Sequence, residues 1–194
     1  MSIGRRAFVF GALALGATGC ATGALVEPGV YNKASGLNVT LGRQWSDLTF
    51  MLPNRPPNVR MLSIDGPLLN RLFVASLAPG ESLVRPVDRD TPRPTYRADM
   101  SDTEAVEFVI DCLAAMQLEA PEANALRPQS MGAAPGVRFD IATRTAEGLN
   151  IAGTALVART GDKLRVLVFI APSEHYYGAL LPEVEQILAS AAAA

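Results

Sequence analysis

Residues 137–171 read VRFDIATRTAEGLNIAGTALVARTGDKLRVLVFIA, and this stretch decides the fold. Val137, Phe139 and Ile141 alternate with Arg138 and Asp140, the period-two pattern of a strand with one buried face. Ala146-Glu147-Gly148 supplies a turn, and Leu149 to Arg159 forms a second apolar run. Gly161-Asp162 turns the chain again. Leu164 to Ala171 is then apolar on both faces beyond Arg165, as expected of a central strand covered on both sides. Three strands joined by short links make an antiparallel meander.

Downstream, Pro172-Ser173 punctuate the chain and a last helix is expected from near Glu174. Tyr177, Leu181, Val184 and Leu188 mark its apolar stripe. Pro182 removes one amide and crowds the preceding turn, which predicts a kink or a restart. The alanine-rich tail is expected to fray.

Upstream, 121–136 reads as an irregular link. A helix is predicted over 102–118, opened by Ser101 with Glu104 three places on, the capping-box pattern. Glu104, Glu107 and Asp111 share its solvent face. Cys112 lies on the apolar side, as a small buried hydrophobe. Val59 to Asp65 and Leu68 to Leu77 read as strands about an Asp65-Gly66-Pro67 turn. Leu37 to Phe50 holds two short strands around Gly42, with Trp45 as a core anchor. The expected class is α+β: one domain over 37–194, an antiparallel sheet of about six or seven strands flanked by two main helices.

The segment 79–100, PGESLVRPVDRDTPRPTYRADM, has no helical or strand period and carries Arg85, Arg89, Arg93 and Arg97. Unstructured loops beyond ~12–15 residues usually serve binding or are disordered. The planar guanidinium suits carboxylate or phosphate. These arginines are therefore a candidate binding surface, with pairing to Glu81, Asp88, Asp90 and Asp99 as the alternative. His175, the one histidine in the chain, stands beside Tyr176 and is a second candidate. No paired-cysteine or H-E-x-x-H spacing, nucleophile elbow or phosphate loop occurs, so no metal or cofactor is expected.

The chain opens with Arg5-Arg6, then an apolar run from Ala7 to Thr18, then Ala17-Thr18-Gly19-Cys20. Twelve helical residues rise only ~18 Å, short of a ~30 Å bilayer core, so 1–19 reads as a signal peptide rather than a span. Small residues before the cysteine resemble the bacterial lipobox, which implies that Cys20 is acylated and becomes the N-terminus. An ordinary cleaved signal is the alternative. Arg5-Arg6-Ala7-Phe8 also resembles a twin-arginine signal, so both export routes stay open. Residues 20–36, rich in Gly and Ala, are expected to be a lipidated N-terminus and tether. Ala21-Thr22 lacks the aspartate of inner-membrane retention, which by resemblance favours the outer membrane.

The full chain has 17 basic and 19 acidic side chains, a net charge of −2. Nothing in that balance suggests nucleic acid.

The order of strands, long loop, helix, meander and closing helix resembles the PsbP-like fold. The residues that carry the resemblance are 137–171 and the block Glu174-His175-Tyr176-Tyr177 through Leu181-Pro182-Glu183-Val184. It implies a non-enzymatic accessory or assembly module. The expected function is thus that of a cell-envelope lipoprotein facing the periplasm, held by Cys20 and meeting an envelope protein. The alternative is a hydrolase or small-ligand binder with its site near His175.

Overall fold

The computed structural model describes residues 23–34, 36–85 and 92–193. The expected signal peptide, Cys20 and Arg89 lie outside them. In chain order the elements are β1 (Ala24–Val26), β2 (Gly29–Ala34), β3 (Leu37–Leu41), β4 (Trp45–Asp47), β5 (Val59–Ser63), β6 (Arg71–Leu77), α1 (Asp102–Ala114), β7 (Glu119–Pro128), β8 (Gly136–Arg144), β9 (Asn150–Thr160), β10 (Lys163–Pro172), α2 (Gly178–Ser190) and β11 (Ala192–Ala193).

The meander appears as β8, β9 and β10, paired antiparallel throughout. It sits in a sheet ordered β1-β4-β5-β6-β10-β9-β8-β7, with a small second sheet ordered β11-β3-β2. The main sheet therefore has eight strands, not six or seven. Strand β7 accounts for one of them, in a segment expected to be a link. Its side chains do not alternate cleanly because it is an edge strand with two register shifts and positive φ at Ala120 and Ala125.

The expected tether also carries structure. Strand β1 pairs with β4, and β2 pairs with β3, burying Tyr31 and Ala34. The alanine tail does not fray at Ala192–Ala193, where β11 pairs with Asn38 and Leu37.

Both faces of the main sheet are covered. Period two sends Phe73, Ala75 and Leu77 of β6 to one side, into a core shared with Phe108, Val109 and Leu113 of α1. Leu72 and Val74 point the other way, into a core shared with β3 and with Leu180, Val184, Ile187 and Leu188 of α2. Fully burying each Leu, Ile, Val or Phe among these contributes ~1.5–3 kcal/mol.

Helix α1 begins as its sequence says. The Ser101 hydroxyl accepts from the Glu104 amide at 3.2 Å, and the Ser101 amide donates back to the Glu104 carboxylate at 2.7 Å. It ends earlier than expected, at Ala114. Gln117 turns left-handed (φ 64), its amide donating to Ala114 and the Leu118 amide to Leu113. Helix α2 starts at Gly178, after an irregular turn in which His175 has φ 71. Pro182 therefore lies just past the first turn, where the carbonyl that loses its amide partner is that of Gly178, at the helix mouth.

Candidate functional site

The turn between β5 and β6 is built by one side chain. Asn70 is 1% exposed. Its carbonyl oxygen accepts from the Ser63 hydroxyl at 3.0 Å and the Ile64 amide at 2.8 Å, and its amide donates to Asp65 at 2.9 Å. This fixes the Asp65-Gly66 bend, with Gly66 at φ 102, and sets the phase of the strand that follows. Arg71 thereby shares the face of Phe73, toward α1.

Arg71 opens onto a cleft of about 410 Å³. Its apolar wall includes Met51, Leu52, Met61, Phe73, Val84 and Met116. Its polar groups include Arg71, Arg85 and Gln117, and no Asp or Glu lines it among the described residues. The size lies within the ~300–1,000 Å³ of small-molecule pockets, which are commonly apolar with a few placed polar groups. Leu68 stands at the rim, 87% exposed.

The two arginines are held differently. Nη1 of Arg85 donates to the Asn54 carbonyl at 3.3 Å, while its Nε is buried without a hydrogen-bond partner. Arg71 is half-buried and makes no hydrogen bond or ion pair among the described residues. Burial pulls its guanidinium below its ordinary range. Gln117, in the cleft wall, has positive φ, as do Asn54, Arg55 and Asn58 in the turns before β5.

The other sequence candidates are not brought together. Arg93 donates to the Gly80 carbonyl at 3.2 Å. Arg97 pairs with Asp99 at 3.3 Å and Glu104 at 3.2 Å, all three well exposed. The described part of the 79–100 loop is not splayed into solvent. Tyr96 exchanges backbone bonds with Gly80 and Glu81, and Leu83, Val84 and Tyr96 pack into the α1-side core. Of the four arginines, only Arg85 lines the cleft among the described residues.

His175 is exposed and lies edge-on to Tyr176, ring centroids 5.2 Å apart. It makes no hydrogen bond to an acid or hydroxyl among the described residues, so the geometry gives it no partner for base chemistry. Tyr176 packs against the α2-side core, away from the cleft. Cys112 is fully buried, 3.9 Å from the Ser82 hydroxyl, and burial pushes its thiol up to about 12. It is a packing residue.

Sequence reasoning passed over Arg71. A signal was present: in LLNRLFVASL the arginine falls in phase with Phe73, Ala75 and Leu77, so a charge points inward at the strand's start. Gln117 left no comparable mark, because its place depends on where α1 stops.

No family model matches the chain, and no curated protein matches it. Its structure is similar to that of the cyanobacterial PsbP protein (CyanoP) of Synechocystis, at 11% identity and a TM-score of 0.55, covering 93% of this chain and 98% of that one. It is similar also to the Ran-binding protein Mog1p of Saccharomyces cerevisiae, at 11% identity and a TM-score of 0.52, covering 88% of this chain and 95% of that one. At such identity the likeness concerns architecture alone. The eight-stranded antiparallel sheet between two helices thus has a PsbP/Mog1-like fold.

Proposed function

We propose that this protein is a cell-envelope lipoprotein, anchored through acylated Cys20 and facing the periplasm at the outer membrane, whose domain is a non-enzymatic binding module. The observation that carries the binding half is the cleft beside α1, a preformed apolar space whose charged groups, among the described residues, are two arginines without a carboxylate. The anchoring half rests on the layout of 1–20, from Arg5-Arg6 to Gly19-Cys20. Several acyl chains at ~0.8 kcal/mol per buried CH₂ hold a protein firmly, whereas a mildly acidic surface does not. An envelope protein partner would meet the module at the same membrane. His175, the site considered from sequence, does not line this cleft, so the cleft replaces it in this reading.

The test has two readouts on one preparation. Wild-type protein should sediment with membranes, Cys20→Ser should not, and gentle release should yield protein carrying a small molecule detectable by native mass spectrometry. Sedimentation of Cys20→Ser after a high-salt wash would remove the anchor. A cleft empty in every preparation from the native host would remove the binding role.

A further inference from the structure

The binding reading can be sharpened to a ligand class. We infer that the cleft takes a single-chain anionic amphiphile, its carboxylate or phosphate held between Arg71 and Arg85 and its apolar body lying over Phe73, Met61 and Met116. The inference rests on the binding reading above.

Three observations carry it. First, charge in the lining is of one sign among the described residues, although the chain as a whole is net acidic at −2. Second, the cations have donors to spare. Arg71 has no partner among the described residues, and the buried Nε of Arg85 is unsatisfied. Desolvated guanidinium is retained in proteins when something completes its hydrogen bonds, and carboxylate or phosphate does so with matching fork geometry. Third, the remaining wall is apolar and open at exposed Leu68 and Met51, where a chain could enter.

One feature opposes an anion. The C-terminus of α1, at Ala114 to Gln117, borders the cleft, and a helix end carries about half a negative charge. Leu113 and Ala114 already accept hydrogen bonds from Leu118 and Gln117. Two full positive charges outweigh what is left.

Titration calorimetry of the purified full-length chain tests this with four probes below their micelle concentrations: dodecanoate, dodecyl phosphate, 1-dodecanol and dodecyltrimethylammonium. Either anion should bind at least about tenfold more tightly than the alcohol, and the cation least. The better anion tells whether the head is a fatty-acid carboxylate or a phosphate such as a lysolipid offers. Arg71→Gln and Arg85→Gln should each weaken the anion by roughly 10–100-fold and leave the alcohol unchanged. That unchanged arm also shows that the variants fold. Arg71→Gln should melt no lower than wild type, since the residue it replaces has no partner to lose.

Equal binding of alcohol and anion, or indifference to both substitutions, would overturn the anion assignment while the binding module stands. Failure of all four probes would overturn it too, and the module would then be judged by the molecule it carries from its host.

Discussion

The two faces of the main sheet are built from the same strands, yet one is sealed and the other is not. On the α2 side the small sheet of β2, β3 and β11 closes the core beside the helix, burying Trp45, Leu37 and Phe169 to 1% exposure or less. On the α1 side the helix packs chiefly over β7 and β8, at the far end of the sheet. Above β5 and β6 the cover is a loop and a turn, and the cleft remains. Regular structure covers one face and irregular structure the other, and the open space lies under the irregular cover.

The largest test of this contrast is mutational. Phe169→Ala, in the sealed core, should destabilise by about 3–5 kcal/mol in chemical denaturation. Leu68→Ser, at the cleft rim, should stay within about 0.5 kcal/mol. Similar losses at both positions would mean that the rim is structural.

An intermediate effect comes from alkali. An unfolded thiol ionises near ~8.5, whereas native Cys112 keeps its proton up to about 12. The folded pKa is raised, so the contribution is full below the unfolded value and is lost as pH rises toward 12. The slope is up to about 1.4 kcal/mol per pH unit. Burial, and then Asp47, also raise Tyr31 on the α2 side, so both faces weaken in base. Cys112→Ala should flatten the denaturation slope above pH 9 by the thiol's share. An unchanged slope would place the alkaline loss on the tyrosines that burial raises, Tyr96 on the α1 side and Tyr31 and Tyr177 on the α2 side.

The smallest effect sharpens the cleft itself. Gln117 holds a left-handed conformation that glycine adopts freely, so Gln117→Gly should gain about 0.5–1 kcal/mol by thermal melting. A loss instead would show that the Gln117 side chain supports the wall.

The parts of the fold legible in the sequence were those whose pattern is local. The meander announced itself through alternation and Gly turns, and α1 through its Ser101–Glu104 box. What stayed hidden depended on distant partners. Strand β2 shows only Tyr31 and Ala34 to the core and is held by β3, while the bulges of β7 scramble its phase. The cleft draws on five separate stretches of chain, and only Arg85 in it had been singled out. Arg97 illustrates the opposite case: its partners Asp99 and Glu104 lie within seven residues, and it is a solvated ion pair.

One consequence concerns how the domain would stand on a lipid surface. Strand β1 begins at Ala24, so under the lipoprotein reading only Ala21, Thr22 and Gly23 separate the greased residue from the first edge of the sheet. That leash reaches at most about 14 Å when taut. Leu25 in β1 is 64% exposed, and Val30 in β2 is 70% exposed. Such a domain would rest flush against the lipid headgroups rather than float above them, with its first strand as the foot.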